Sequence, residues 1–509
     1  MSNLQVQVGK DIDNPEAASP LSTSELAYLI PRFPYLQTDS VVASLSGQAF
    51  SEHGMPLMAC LHWLESIRLQ IQFPLPLRHK EYLAWWARKG PEHYLKASDI
   101  LEQTRDVPAH LPCFRDHIFG VNLVGHAFNV FGVGEYLRMM AKALQAASIP
   151  FCVRDIPSEN GAADDDRSLE PWLHPSDEPL PYAFTIYCTT AIKQLEIAVK
   201  LGLARGPHTY AIACWFWEME RWPDSLRMTL ELVDEFWPCT RIIETALKTV
   251  DTNPGKPIVL IPPVVELGDI MERLPSRAVS RSLYQLNQEA VLFVFSFDLN
   301  SSIHRKNPQA AIDAFQLAFG SQGQVGDENL VGLVIKCFPP AKPDSRWDQL
   351  KELAAADTRI TIIEASLSRD EILSLFSGCD CFLSLHRSEG LGLGPAEALQ
   401  LGLEVIATDY GGNADFCHGP LAHPVPYTMI AVQEGEYPYY QGLRWADPDI
   451  GQAASMMREV VSRRQAMPQA DARVIQAYKA NFFAERIGLL YRRRLEELWD
   501  RRDAIQSHL

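Results

Sequence analysis

Along the chain the spacing of apolar positions changes character several times. In the first 110 residues, "LSTSELAYLIPRF", "MACLHWLESIRLQIQ" and "KEYLAWWARKG" carry aromatic and aliphatic residues at helical spacing between proline-rich turns. They predict a helical N-terminal extension over residues 1–110. At residue 118 the pattern switches to an apolar strand, 118 to 124, a glycine-bearing loop, and an amphipathic helix from Gly134 to Ala147 with Leu137, Met140, Ala141 and Leu144 on one face. Strands at "FCVRDI", "YAFTIYC", "TYAIACWF" and "EFWPC" follow, with helices at 191–201 and 241–249 and then the apolar run "PIVLIPPVV".

A second unit begins near residue 289. Its strands "AVLFVFSF", "LVGLVIKC", "TRITIIEA", "CDCFLSL" and "EVIATDY" are almost continuously apolar, as strands of a parallel sheet covered on both faces must be. Helices at "NPQAAIDAFQLAF", "RDEILSLFSG" and "GPAEALQLG" separate them. The pattern therefore predicts an α/β protein with two Rossmann-like domains, 111–280 and 281–470, joined near 265–288. Ligands in such sheets lie beyond the carboxyl ends of the strands, so a cleft between the domains is the expected site. Residues 471–509 read as helices that cross back to the first lobe.

Composition narrows the class. A chain of 509 residues that is 47% hydrophobic is globular and exceeds one ordinary core, and a net charge of -17 disfavours nucleic acid while leaving room for a local anion site. The N-terminus has no basic stretch followed by an apolar one, and no apolar run is long enough to span a bilayer, which predicts a cytoplasmic protein. The C-terminal "YRRRLEELWDRR" reads as a solvated helix face, with peripheral contact to acidic lipid at the inner membrane as its alternative. The ten cysteines include no C-x-x-C, and Cys379 and Cys381 lie in an apolar strand, so buried free thiols are expected. No D-x-D segment suits a metal; "ADDD" at 163–166 reads as loop.

The chemistry concentrates in "SLHRSEGLGLGPAEALQLGLEVIATDYGGNADF", residues 384 to 416. A strand ending near His386 leads into a turn with Gly390, Gly392 and Gly394, and Pro395 suits the start of a helix because its missing N–H is not needed there. Glu389 stands on the turn and Glu397 in the first helical turn. Carboxylates hold diols well, so one of the pair suits sugar hydroxyls and the other a ribose, while the amides of Gly392, Leu393 and Gly394 suit phosphate oxygens. The bland alternative is a tight turn with two solvated glutamates.

This segment resembles the signature of the retaining glycosyltransferases of family four, which have the GT-B fold: a glutamate, seven residues, and a second glutamate, matched by Glu389 and Glu397. The resemblance extends over roughly 118 to 500 and is closest to bacterial enzymes that build surface polysaccharides, often mannosyltransferases. "VGHAFNVFGVGEYLR" looks like the first-domain loop of that family, where Gly132 and Gly134 would let backbone approach the donor phosphates. "CWFWEMERWPDSL" resembles the family's central region and "HRKNPQAAIDAF" its basic phosphate-binding segment. The family's logic gives Lys306 the departing diphosphate, Glu397 the ribose, Glu389 the transferred sugar, and Thr408, Gly411 and Gly412 the phosphate side.

Two departures stand out. Where many members carry an arginine shortly after the strand, this chain has Phe297 and Asp298, so Arg305 or Lys336 would supply the second charge. Where some members place a histidine near the reacting sugar, this chain offers His126 or Glu218. The resemblance implies transfer of a hexose, mannose favoured, from a nucleoside diphosphate sugar (GDP-mannose favoured, UDP-sugar as alternative) to a glycan or lipid-linked acceptor hydroxyl, with retention and without a cofactor or metal. A catalytically inert sugar-nucleotide-binding scaffold is the competing reading, and a glycogen- or sucrose-type enzyme would share the same sites.

Overall fold

The structure is a computed structural model and describes residues 80–82, 84–85, 114–130, 132–156, 166–176, 178–200, 209–250, 255–268, 270–320, 330–340, 343–467 and 469–506. The helical extension expected over 1–110 lies outside the described residues except for 80–82 and 84–85, which are helical.

The first lobe is a five-stranded sheet of β1 (Ile118–Gly125), β2 (Phe151–Asp155), β3 (Tyr182–Thr189), β4 (Tyr210–Trp215) and β5 (Glu235–Phe236), in the order β2-β1-β3-β4-β5. Every pairing is parallel. Helices α1 (Gly132–Ala146), α2 (Ala191–Lys200) and α3 (Arg241–Lys248) belong to it. Leu137, Met140, Ala141 and Leu144 of α1 are all buried, as their spacing requires. The run "PIVLIPPVV" is not a strand: it meets β5 in one isolated bridge, Phe236 to Ile258, because Pro257, Pro262 and Pro263 cannot donate to a ladder.

The second lobe is built from α4 (Ile303–Lys306), α5 (Pro308–Phe319), α6 (Ser345–Ala355), α7 (Arg369–Ser377), α8 (Leu393–Leu401) and strands β6 (Val291–Asp298), β7 (Val331–Phe338), β8 (Ile360–Glu364), β9 (Cys381–Ser384), β10 (Glu404–Thr408) and β11 (Ala422–Val425). The parallel sheet runs β11-β10-β9-β6-β7-β8. From β6 the order goes one way to β7 and the other way to β9, so the loops after β6 and β9 diverge at a topological switch point, where α/β sheets open a binding crevice. An antiparallel hairpin, β12 (Tyr427–Ala431) and β13 (Arg444–Pro448), is appended to this lobe. The eight described cysteines are free and buried.

Helices α9 (Ile450–Ala466), α10 (Ala472–Ala480) and α11 (Ala484–Asp500) follow, with a short helix Arg502–Gln506 after them, and α11 packs on α1 of the first lobe. A Cβ on Gly488 would stand 2.3 Å from the Ala143 carbonyl, so the absent side chain is what lets the two helices meet. Arg494 grips the fully buried Glu235 at 2.7 and 2.8 Å, and Tyr491 stacks on Trp237 at 5.3 Å. No described helix is long and apolar enough to cross a membrane.

Candidate functional site

The loops on either side of the switch point bring the basic turn and the signature turn together. Ser302 caps the single turn α4 by accepting from the Arg305 amide, and Asn307 ends it in a left-handed conformation, which throws Arg305 and Lys306 toward the loop after β9. Arg305 donates through Nη1 to Glu389 Oε1 at 2.7 Å and to the Ser388 carbonyl at 2.9 Å. Lys306 pairs with the same carboxylate oxygen. Burial alone would raise the Glu389 carboxyl, but Lys306 and Arg305 outweigh it and hold it down at about 2. Burial lowers the Lys306 ammonium, Glu389 opposes that, and the neighbouring Arg305 adds to it.

The first lobe reaches the same cluster through Glu218, whose Oε1 lies 3.5 Å from Arg305 Nη2. The Tyr437 hydroxyl donates to Glu218 Oε2, and the Ser388 hydroxyl donates to the Glu218 carbonyl. Tyr437 sits in the hairpin loop between β12 and β13, with its ring 5.9 Å from Trp217 and 6.3 Å from Trp445. Ser302 anchors that loop by donating to the Glu436 carbonyl at 2.6 Å. Burial, reinforced by the Glu218 charge, pushes the Tyr437 phenol well up, so it stays a donor. Arg305 is only 4% exposed, and its Nε has no hydrogen-bond partner.

Glu397 belongs to a separate arrangement. Because Gly392 adopts φ 85° and caps α8, the helix begins at Leu393, and Glu397 falls in its second turn, not the first. It is 3% exposed and pairs with Arg369 at the start of α7. Arg369 Nε also lies 3.5 Å from Oε1 of Glu135 on α1, and Glu135 Oε2 accepts from Arg138 at 2.9 Å. A ladder of alternating charge thus crosses between the lobes. Burial raises the Glu397 carboxyl, with Arg369 opposing.

The glycines after β10 permit the closest backbone approach in the site. Gly411 has φ 100°, and a Cβ there would lie 2.6 Å from the Glu389 carbonyl; at Gly412 it would lie 2.2 Å from the Gly390 carbonyl. The Gly412 amide donates to Glu389 O at 2.7 Å, which fixes the backbone that carries the carboxylate. Thr408 is fully buried and donates inward to the His386 carbonyl at 2.7 Å, so its hydroxyl braces the turn. His386 lies beyond β9, which stops at Ser384, and its Nε2 is 2.9 Å from the Tyr410 carbonyl; that nitrogen must carry the proton, leaving Nδ1 to accept from Ser384 Oγ at 2.8 Å.

The remaining sequence candidates divide. Gly132 and Gly134 stand in the first turn of α1, not in the loop before it. Gly134 is there because a Cβ would meet the Asn129 carbonyl at 2.1 Å, whereas Gly132 is exposed with open space around it. His126 Nδ1 lies 2.7 Å from the Ile156 carbonyl. Lys336 is buried on β7 with its ammonium 5.9 Å from the Phe338 ring, and among the described residues no ion pair joins it to the Glu389 cluster; burial lowers its ammonium. Gly392 caps α8, and Leu393 and Gly394 are its first two residues. Of the pairs left open by sequence, Arg305 rather than Lys336, and Glu218 rather than His126, are the ones gathered with Lys306 and Glu389.

Sequence reasoning did not single out Arg369, Glu135 or Tyr437. Arg369 follows the capping residue Ser368 and reads as an ordinary helix start; the usable signal was an arginine at the carboxyl end of an apolar strand.

A family model described as glycosyl transferases group 1 matches residues 341–418, which run from just before α6 to the segment after Gly412. No curated protein matches the chain. Among solved structures, a sucrose-phosphate synthase from Thermosynechococcus elongatus is 13% identical with a TM-score of 0.52, covering 75% of this chain and 100% of that one. An E. coli trehalose-6-phosphate protein bound with UDP-2-fluoro glucose is 10% identical at a TM-score of 0.52, covering 74% and 99%. Anabaena HepE in complex with UDP and glucose is 13% identical at a TM-score of 0.51, covering 75% and 100%. At such identities the likeness is one of fold, and that fold is GT-B: two Rossmann-like α/β domains.

Proposed function

We propose that the protein is a glycosyltransferase that moves a hexose from a nucleoside diphosphate sugar to an acceptor hydroxyl with retention. The observation that carries this reading is the convergence of Arg305, Lys306 and Glu389 at the switch point of the second sheet, facing Glu218 of the first lobe. Two cations share one carboxylate, so an arriving diphosphate offers them a stronger anionic partner and frees Glu389 for the hydroxyls of the sugar. Breaking the bond from sugar to phosphate then develops charge on the leaving group beside fixed cations, which stabilise the transition state more than the ground state. The leaving diphosphate takes the acceptor's proton on the face it departs from.

Glu397 serves the ribose in this scheme. The donor is a GDP- or UDP-hexose: the resemblance of the signature favours GDP-mannose, and the two neighbours that hold UDP compounds support uridine. The acceptor is a glycan or lipid-linked hydroxyl, and the enzyme works in the cytoplasm. The test is a hydrolysis and transfer screen of the full chain against UDP-glucose, GDP-mannose and related donors. Release of nucleoside diphosphate that is lost in Lys306→Ala supports the reading; a wild-type protein that neither binds nor turns over any nucleotide sugar overturns it.

A further inference from the structure

The charge ladder between the lobes contains an arginine whose bonding is incomplete. Arg369 follows β8 by way of the loop 365–368 and opens α7, so it stands at the carboxyl edge of the second sheet, on the side where such sheets take ligands. A guanidinium has five N–H donors in a rigid fork. One, on Nη1, is spent on Glu397 Oε1. Nε and Nη2 are buried and have no hydrogen-bond partner, although Glu135 lies 3.5 Å from Nε. A buried donor on a charged group without an acceptor is costly, and packing alone gives no reason to keep it.

The surroundings limit where the guanidinium can go. Glu397 on one side is anchored in α8 and Glu135 on the other is held by Arg138, which also lies 3.4 Å from Asp166. Arg369 is therefore held at Nη1 by Glu397 and at Nε by the Glu135 charge, which leaves Nη2 without an acceptor. Burial works against its charge, but Glu397 and Glu135 more than restore it, so the donors are permanently charged ones. Charged donors of this kind suit a carbonyl or hydroxyl oxygen that lies next to a diol held by Glu397.

We propose that Arg369 is a specificity residue for the nucleoside: Nη1 holds Glu397 in position for ribose hydroxyls, while the Nη2 protons bind an oxygen acceptor of the same nucleoside. This rests on the sugar-nucleotide reading above and names the part of the donor that the arginine reads. The arrangement couples two contacts in one side chain. Loss of the guanidinium removes a direct hydrogen bond and also lets the Glu397 carboxylate rotate.

The experiment is calorimetric titration of the full chain with UDP, GDP, 2′-deoxy-UDP and pyrophosphate, for the wild type, Arg369→Met, Arg369→Lys and Glu397→Gln. Arg369→Met is expected to bind UDP or GDP at least tenfold more weakly and pyrophosphate as the wild type does, since the pyrophosphate cations are Arg305 and Lys306. Arg369→Lys keeps charge and stem, guards against a folding defect, and is expected to melt like the wild type and still lose severalfold in nucleotide affinity. If the loss in Arg369→Met is equal for UDP and 2′-deoxy-UDP, the acceptor is on the base; if the preference for UDP collapses, it is the ribose. Nucleotide affinity unchanged in both arginine variants, or UDP and pyrophosphate lost in equal measure, overturns the proposal. A wild type that binds none of the nucleotides overturns the sugar-nucleotide reading itself, an outcome distinct from either.

Discussion

Arg305 and Glu218 lie 3.5 Å apart across the two lobes, and the same guanidinium donates to Glu389 at 2.7 Å. One buried cation therefore holds a carboxylate from each domain. Replacing it by alanine leaves Glu218 and Glu389 facing each other with Lys306 as their remaining compensation. Arg305→Ala is expected to lower unfolding free energy by about 3–5 kcal/mol, as removal of one partner of a buried ion pair does. Urea unfolding measures it, and Arg305→Lys should recover part of the loss.

Lys306 has a different balance. Its side chain is 18% exposed, and Glu389 keeps Arg305 when the lysine is gone. Lys306→Ala is expected to change stability by no more than about 1–2 kcal/mol. Donor turnover should fall about 100-fold or more, the scale of losing one charge-stabilising group. Parallel thermal melts and nucleotide-release assays separate the two effects.

Tyr437 acts through Glu218. Tyr437→Phe keeps the ring against Trp217 and removes only the hydroxyl that Glu218 accepts from. The expected result is a fold within about 1 kcal/mol of the wild type, the net worth of one hydrogen bond. Transfer to an acceptor should drop while the affinity for UDP or GDP stays, because the phenol lies at the interlobe carboxylate and not at Glu397. Equal loss of nucleotide binding would place Tyr437 elsewhere in the mechanism.

Acid should weaken the cluster in a defined window. The Glu389 carboxyl is depressed from 4.5 to about 2, so its ion pairs contribute stability that is fully present above pH 4.5 and is lost as pH falls toward 2. The contribution of this group to the slope approaches about 1.4 kcal/mol per pH unit inside that window. Unfolding free energies of the wild type and Glu389→Gln, measured from pH 6 down to pH 3, should converge as the pH drops.

Gly412→Ala tests the backbone under Glu389. The added methyl would start 2.2 Å from the Gly390 carbonyl, a backbone atom that cannot swing aside. A destabilisation of about 1–3 kcal/mol is expected, the range for overpacking a tight site. Donor turnover should fall with it, since the Gly412 amide holds the Glu389 carbonyl at 2.7 Å.

The central strands were legible because they are buried on both faces and therefore apolar almost without interruption; "AVLFVFSF" and "YAFTIYC" leave little other reading, whereas the edge strand β11, "AHPV", is short, half-exposed and carries a proline, and gives no such signal. The hairpin β12–β13 was not, because its strands are partly exposed and its connection, "VQEGEYPYYQGL", mixes charge, glycine and aromatics as any loop does. Glu389 and Lys306 were visible through local motif. Arg369 was hidden because both of its partners, Glu397 and Glu135, are remote in sequence and its own neighbourhood, Ser368 to Glu371, is fully explained as a capping box. The position of Glu397 was misjudged by one turn because a left-handed Gly392 starts the helix before Pro395 does.

The return of the last helices to the first lobe has a mechanical consequence. The chain leaves that lobe near Val265 and re-enters it near Phe482, and the Val265 amide donates to the Phe482 carbonyl at 3.3 Å, so outbound and homebound segments lie side by side. Two tethers fastened at one spot act as a pivot. They permit the halves to swing apart on the opposite edge, and they resist any sliding that would shift Glu218 along Arg305 out of register.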